Sequence, residues 1–468
     1  MPVLIGPDLT FADVIAVARH DEPVEVSEQA LTAVDRAADH VAQLADDVVP
    51  HYGISTGFGA LASKRVPVEQ RAILQHSLIR SHAASTGAEG EREVIRAMML
   101  LRLKTMASGH TGVRREVVLG YAAMLNTGIT PVTGEYGSLG CSGDLAPLAH
   151  AALALTGEGI VRDKAGTQMP AAEALSAAGL EPITLREKEG LALINGTDGM
   201  LGQLIMALTG LDTLVTTADL TTAMTVQALC GIDAVFAPDL QALRPHEGQK
   251  LSAANIAALL KDSPLIQAGK SEESKRVQDA YSLRCAPQVT GAVRDTMAHA
   301  AHVAQVELVS AIDNPAVTDD LRVESNGNFH GAPVAYVLDF LAIAVADLAS
   351  MSERRTDRML DPARSRGLNA FLANDPGVDS GYMIAQYTQA SIVSELKRLA
   401  VPASADSIPT SAMQEDHVSL GWSAARKLRR AVDGLGKVLG VEALTAARAI
   451  DMRGIGASEP VARVIKLM

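Results

Sequence analysis

Positions 141–143, Cys-Ser-Gly, are suited to a backbone reaction in which a chain builds an electrophile from its own atoms. Because Gly143 has no side chain, its amide nitrogen can approach the carbonyl carbon of Cys141 and close a five-membered ring across Ser142. Loss of water from that ring and from the Ser142 side chain leaves a methylidene conjugated to an imidazolone. Such a group is an electron sink, which ordinary side chains cannot supply. By itself the tripeptide is more typical of a Gly/Ser turn leading into a helix.

The wider segment favours the chemical interpretation. Residues 137–148 read Gly-Ser-Leu-Gly-Cys-Ser-Gly-Asp-Leu-Ala-Pro-Leu, which resembles the signature of the aromatic amino acid ammonia-lyases. That family carries 4-methylidene-imidazol-5-one (MIO), usually formed from Ala-Ser-Gly. The resemblance implies that MIO forms autocatalytically from Cys141, Ser142 and Gly143. Cys141 in place of alanine leaves the cyclising atoms unchanged and puts a thiol on a ring substituent.

Composition indicates a mainly helical protein that acts on small molecules. Of the 468 residues, 48% are hydrophobic but only 3% are aromatic, and strand-like runs are few. The formal net charge of -13 argues against binding to nucleic acid or an anionic membrane, which needs clustered Lys and Arg. The three cysteines lie far apart without metal-ligand spacing, which predicts no metal site and a reducing, cytoplasmic location. The N-terminus lacks the features of a signal peptide.

Hydrophobic periodicity predicts the architecture. We expect a mainly α fold, with an N-terminal lobe over residues 1–200 that carries the MIO loop and a long helical bundle over residues 201–468. The apolar run at 201–230 is interrupted by polar residues, so we interpret it as a buried helix rather than a membrane span. The family resemblance implies a homotetramer whose active sites each take residues from three subunits. Core-facing apolar stripes fall at Leu338, Leu341, Val345 and Leu348, and at Leu428, Val432, Leu435 and Leu439.

A glycine-rich loop over residues 52–59 contains the first candidate base. It resembles the family segment Tyr-Gly-Val-Asn-Thr-Gly-Phe-Gly, whose tyrosine removes the β-proton of the substrate, and the matching residue is Tyr52. Phenol has a reference pKa near ~10, so we expect the site to favour phenolate. Ser55 replaces the usual asparagine. The alternative is a tyrosine packed at a turn, with its hydroxyl on a backbone group.

Residues 278–288 resemble a second family signature. The resemblance implies that Arg284 holds the substrate carboxylate, that Tyr281 lies beside the MIO ring and that Gln278 contributes to substrate binding. A guanidinium suits the first task because it is planar and always charged. The alternatives are a surface salt bridge for Arg284, helix-end packing for Tyr281 and a solvent contact for Gln278.

Two asparagines and a phenylalanine match further family positions. The resemblance implies that Asn195 hydrogen-bonds the carbonyl oxygen of the ring, as in an oxyanion hole, and that Asn314 helps to hold the substrate carboxylate. It also implies that Phe329 packs against the ring. Asn-Gly and Asn-Pro are otherwise ordinary turn sequences, and a lone phenylalanine is otherwise core.

Two positions concern the substrate side chain. Gln-Glu-Asp-His at 414–417 and Ser-His at 81–82 resemble the family members that act on histidine. Glu415 would therefore face an imidazole, whose N–H a carboxylate can accept, while His82 occupies the position that selects the side chain. A lone histidine on a helix usually lies in the core or on the surface, so His82 supports a histidine substrate only in combination with Glu415.

The resemblance covers nearly the whole chain and implies elimination of ammonia from L-histidine to give trans-urocanate, the first step of histidine degradation, without a metal. One alternative is an MIO-dependent lyase or aminomutase acting on another aromatic or modified amino acid. A second, from a different class, is a non-catalytic helical oligomer that keeps the fold as a binding scaffold.

Overall fold

The computed structural model describes residues 2–271 and 276–468, and α-helices dominate them, which confirms the mainly α prediction. The α-helices are Phe11–His20, Glu28–Ala45, Arg71–His82, Arg92–Ala107, Arg115–Thr127, Leu145–Leu155, Ala171–Ala177, Glu189–Ala192, Asp198–Ala228, Pro238–Ala242, Glu247–Leu260, Pro264–Gly269, Tyr281–Arg284, Ala286–Val309, Ala332–Leu360, Met383–Leu399, Gly421–Arg453 and Glu459–Ile465. Short 3-10 helices lie at Gly59–Leu61, Val68–Gln70, Ala234–Phe236, Ala370–Leu372 and Ser411–Met413.

The strands are short and form small separate sheets. Val3–Ile5 pairs in parallel with Val24–Val26, and Thr86–Glu89 pairs antiparallel with Gly134–Tyr136. The remaining pairs are antiparallel: Thr130–Pro131 with Ile160–Arg162, Ile160–Arg162 with Gln168–Pro170, and Ala316–Val317 with Val323–Glu324. Strands this short contribute little independent stability, so the helices supply most of the core.

The chain divides into two compact units that differ from the predicted division at residue 200. The first unit contains residues 1–206, 302–338 and 403–426, and the second contains 207–301, 339–402 and 427–468. Four of the five boundaries fall inside long helices, and the chain leaves the first unit and returns to it twice. Local hydrophobic periodicity identifies such helices, but it carries no information about which distant segments pack together.

Helix Arg92–Ala107 is the centre of the first unit, and it buries two arginines completely. Arg96 donates hydrogen bonds to the carbonyl oxygens of Val17 and Leu125. Arg102 donates to the carbonyl oxygens of Asn195 and Ile312, each at 2.7 Å. These hydrogen bonds offset part of the cost of burying the two guanidinium groups, and the Arg102 Nε lies 3.5 Å from the Asp198 carboxylate. Arg102 thereby fixes two turns that carry candidate site residues.

A buried carboxylate organises the second unit. Glu442 accepts hydrogen bonds from Thr221 at 3.0 Å and Thr225 at 2.8 Å, and from Ser352 at 2.6 Å. It also pairs with Arg355, which is itself almost fully buried. The network links three long helices, and the predicted apolar stripes at 338–348 and 428–439 are buried as expected.

Two of the described helices, Asp198–Ala228 and Ala332–Leu360, are long and apolar enough to cross a membrane by length and composition alone. In the most apolar window of each, 67% and 61% of the residues are buried inside the protein. Core helices of large helical proteins show the same combination of length and burial.

Candidate active site

The loop that carries positions 141–143 is pressed against a second turn of the first unit. Gly143 has a left-handed φ of 79°, and a Cβ atom there would collide with the backbone nitrogen and oxygen of Gly196. The amide of Asp144 donates to the Gly196 carbonyl oxygen at 2.7 Å. Glycine is therefore required at 143 both for its backbone conformation and for this close approach.

The Asp144 side chain holds the same loop in place through hydrogen bonds. Its buried carboxylate accepts hydrogen bonds from the Ser138 hydroxyl and the Met200 amide, both at 2.8 Å. The Met200 amide belongs to the first turn of helix Asp198–Ala228, where the backbone N–H groups lack helical partners and favour an anion. Burial nevertheless raises the pKa of Asp144 to about 7. Asp144 was not among the predicted site residues, although its position directly after the Cys-Ser-Gly triplet is a usable signal.

Glu415 lies directly against the triplet. Its carboxylate accepts hydrogen bonds from the Ser142 hydroxyl at 2.9 Å, from the Cys141 thiol at 3.2 Å and from the Thr410 hydroxyl at 2.9 Å. Backbone hydrogen bonds between Thr410 and Glu415 close the short segment that presents the side chain. Burial, with the Glu415 charge as the next cause, raises the pKa of the Cys141 thiol to about 12, so the thiol stays protonated at neutral pH.

These groups open onto a cavity of about 1090 Å³ in the first unit. Its wall combines apolar surface with convergent polar side chains, the combination typical of small-molecule sites. Phe329 is half-buried in this wall, so it is not a core residue. The sequence-predicted residues that line the cavity are Tyr52, His82, Cys141, Ser142, Asn195, Asn314, Phe329 and Glu415.

His82 ends helix Arg71–His82 and enters the cavity as a neutral ring. Its Nδ1 lies 2.9 Å from the Leu78 carbonyl oxygen, so that nitrogen carries the hydrogen and Nε2 remains an acceptor. Burial lowers the pKa of His82, although the Leu78 contact and the Glu415 charge oppose the shift.

Tyr52 lines the cavity with its hydroxyl accepting the Gly59 amide hydrogen bond at 3.1 Å. Burial and the Glu415 charge raise the pKa of Tyr52, and the Gly59 bond opposes them only in part. The surroundings that one chain provides therefore favour the neutral phenol, in contrast to the phenolate that the sequence analysis expects. The reason is that the nearby formal charge is negative and the site is partly desolvated.

Asn195 is held at the cavity by neighbours on both sides. Arg102 binds its carbonyl oxygen, and its side-chain Nδ2 donates to the Asn314 carbonyl oxygen at 2.9 Å. Its Oδ1 is buried and has no hydrogen-bond partner among the residues that the structure describes. An unsatisfied buried polar atom costs about 1–3 kcal/mol, so the Asn195 Oδ1 is available to a partner outside the described residues.

Asn314 is fixed by a fully buried ion pair beside it. Lys188 binds the Asp313 carboxylate at 2.5 Å, and the other carboxylate oxygen accepts the Asn314 amide at 2.9 Å. The Asn314 side-chain oxygen accepts hydrogen bonds from Ser325 and Asn326. The side-chain oxygen of Asn314 is therefore already occupied as an acceptor, and the side-chain NH2 group is the part that can donate to a ligand.

Gln278, Tyr281 and Arg284 are not among the residues that line this cavity, and they belong to the second unit. Tyr281 is 70% exposed. The Arg284 guanidinium stacks on the Tyr281 ring at 4.7 Å, and its buried Nε has no hydrogen-bond partner within residues 2–271 and 276–468. Eight of the predicted residues therefore line the cavity of one chain, and these three do not.

Comparison with known proteins supports one family throughout. The sequence pattern of the family described as aromatic amino acid lyase matches residues 9–468. The chain is 63% identical over 452 residues to the histidine ammonia-lyase of Streptomyces coelicolor, covering 96% of this chain and 88% of that protein.

Solved structures agree with the sequence comparison. The histidine ammonia-lyase of Trypanosoma cruzi matches with a TM-score of 0.91 and 38% identity over 100% of this chain and 88% of that one. The tyrosine aminomutase of Streptomyces globisporus matches with a TM-score of 0.93 and 37% identity over 100% of this chain and 92% of that one.

We expect Gly143→Ala to block cyclisation and to destabilise the protein beyond simple backbone strain. Gly166→Ala is the matched control, because Gly166 also has positive φ but has open space around its Cβ position. Both variants incur about 1–2 kcal/mol of left-handed strain, and only Gly143→Ala adds the collision with Gly196. In thermal unfolding, Gly143→Ala should have a lower Tm than the control. Its intact mass should show no loss of water. Equal Tm values and a mass lower by two waters would contradict the close-approach argument.

Proposed function

Since the chain belongs to the aromatic amino acid lyase family, we propose that it is a histidine ammonia-lyase. The reaction is the non-oxidative elimination of ammonia from L-histidine to give trans-urocanate, the first step of histidine degradation. The observation that carries the substrate assignment is the presence of Glu415 and His82 in one cavity with the Cys-Ser-Gly loop. A carboxylate and a neutral imidazole offer acceptors to an imidazole N–H, whereas a phenyl ring could use neither.

The residues around the loop fit an MIO group formed from Cys141, Ser142 and Gly143. Gly143 packs so closely on Gly196 that no Cβ atom fits there, which restrains the backbone at the residue whose nitrogen would close the ring. Asn195 has a second side-chain N–H available and an unsatisfied Oδ1, which suits it to the polar edge of an imidazolone. When present, MIO supplies the electrophile that draws electrons from the carbon-nitrogen bond.

The other cavity residues bind the amino acid and move its proton. The donor end of Asn314 suits the substrate carboxylate, since Ser325 and Asn326 already occupy its acceptor end. Tyr52 is the candidate base for the β-proton because its hydroxyl lies at the cavity and no carboxylate of the described residues accepts a hydrogen bond from it. Phe329 supplies an apolar wall that excludes water from the reacting carbons.

We further propose a cytoplasmic homotetramer in which neighbouring subunits complete each cavity. Gln278, Tyr281 and Arg284 are not among the residues that line the cavity of their own chain, and the buried Arg284 Nε has no hydrogen-bond partner within the described part of the chain. Supplied by another subunit, the Arg284 guanidinium would bind the substrate carboxylate in a bidentate manner. A cation brought near Tyr52 would also offset the burial and the negative charge that raise its pKa.

An MIO-dependent lyase or aminomutase with another amino acid substrate is the second candidate. The likeness to the tyrosine aminomutase of Streptomyces globisporus favours it, because closely similar folds in this family carry different reactions. Both candidates need the Ser142 chemistry, so only product analysis separates them.

We expect the purified protein to form urocanate from L-histidine and no cinnamate or coumarate from L-phenylalanine or L-tyrosine. Near-UV absorbance follows all three products, and chromatography detects β-amino acids from an aminomutase.

Ser142→Ala, which lacks the hydroxyl that must leave, should remain folded and lose activity by about 10³-fold or more. Product only from another amino acid would reject the histidine assignment. Normal turnover by Ser142→Ala would reject MIO chemistry, and no turnover of any substrate would favour the scaffold.

We expect kcat/KM for L-histidine to rise with pH above neutrality. The substrate amine must be deprotonated to act as a nucleophile, and Tyr52 must be deprotonated to act as a base. Because the pKa of Tyr52 is raised, its phenolate fraction increases only toward alkaline pH. Tyr52→Phe should lower kcat by about 10²–10⁴-fold, whereas Tyr387→Phe at an exposed position should keep the wild-type profile. A profile that is flat from mildly acidic to alkaline pH would contradict this account.

A further inference from the structure

The environment of Ser142 before ring formation suggests a second task for Glu415. The Ser142 hydroxyl donates to Glu415 Oε1 at 2.9 Å, while Glu415 Oε2 accepts from Cys141 at 3.2 Å and Thr410 at 2.9 Å. Both carboxylate oxygens are therefore engaged while the Ser142 hydroxyl is present. The donors on Oε2 hold the carboxylate so that Oε1 faces the hydroxyl oxygen.

Dehydration of Ser142 requires a proton at its hydroxyl oxygen, Oγ. The Cα–H and Cβ–Oγ bonds of Ser142 break, a Cα–Cβ double bond forms, and the Cβ–Oγ electron pair leaves with Oγ. The proton released from Cα must reach Oγ so that the products are the methylidene and one water. Hydroxide is a poor leaving group, so a positioned acid-base group accelerates this step.

We propose that Glu415 carries this proton and is thus the general acid-base group for the dehydration of Ser142. This inference rests on the proposed function, because it presumes that the ring forms. Glu415 takes up the proton that leaves Cα and delivers it through Oε1 to Oγ, so no oxidant or other reactant is needed. Once the water has left, Oε1 has lost its donor and can accept the imidazole N–H of the substrate.

Other ionisable groups near the loop have different partners. The Asp144 carboxylate binds Ser138 and the Met200 amide, and the Tyr52 hydroxyl binds the Gly59 amide. His82 Nδ1 binds the Leu78 carbonyl oxygen. Within the described part of the chain, the hydrogen bond of the Ser142 hydroxyl goes to Glu415.

The test uses mass spectrometry to follow ring formation, and it requires no measurement of turnover. Wild type, Glu415→Gln and the control Asp416→Asn are synthesised in a cell-free system and sampled over time, and the peptide containing positions 141–143 is analysed by tandem mass spectrometry. Asp416 is the adjacent carboxylate and also lines the cavity. We expect wild type and Asp416→Asn to lose two waters at similar rates. Glu415→Gln should retain the Ser142 hydroxyl, with dehydration slowed by about 10²-fold.

Chemical rescue covers the case in which Glu415→Gln fails to fold. Glu415→Ala leaves space for a small carboxylate, so added sodium formate should speed the loss of the second water relative to sodium chloride. Wild-type dehydration in folded Glu415→Gln, or formate-independent dehydration in folded Glu415→Ala, would overturn the proposal. A wild-type protein that keeps both waters would instead reject the proposed function itself.

Discussion

The close approach of Gly143 to Gly196 is the contact on which the candidate site depends. It joins the loop that carries Cys141 and Ser142 to the turn that carries Asn195, and the Asp144 amide secures it with a hydrogen bond to Gly196. A side chain at 143 would separate the two backbones. Confinement of the Gly143 backbone would reduce the entropy that the proposed ring closure must otherwise overcome, so the fold itself would prepare that reaction.

Buried charges hold this contact in place. Arg102 binds the carbonyl oxygens of Asn195 and Ile312, and the Lys188–Asp313 pair fixes the backbone at Asn314. Burying these charges is costly, but leaving one partner alone would cost about 3–5 kcal/mol. The arrangement therefore resists displacement, and both asparagines reach the cavity as rigid groups rather than as mobile turn residues.

Most of the site residues that the short motifs predicted line one cavity, because each motif encodes its chemistry locally. Tyr52, Ser142, Asn195 and Glu415 lie far apart in sequence, and the structure gathers them in one cavity. The contact between Glu415 and the triplet could not be predicted, because it depends on how the Thr410 segment packs. The raised pKa of Tyr52 within one chain could not be predicted either, since it arises from burial and from the charge of Glu415, which is distant only in sequence.

For the fold, periodicity correctly predicted a mainly α protein and its buried stripes, as at Leu338 and Leu428. The division into two units could not be predicted from local patterns, because residues 302–338 and 403–426 join the first unit through long-range packing. Local patterns specify helices, whereas the assignment of helices to units depends on contacts between distant segments.

A high-resolution crystal structure of the purified oligomer tests the central claim most directly, that the Gly143 loop matures into the ring and that neighbouring chains complete its cavity. The account predicts continuous density for a closed ring over 141–143, no oxygen at the former Ser142 hydroxyl, and Arg284 from another subunit at the cavity. An open chain that retains the Ser142 hydroxyl, or a cavity closed by its own chain alone, would contradict it.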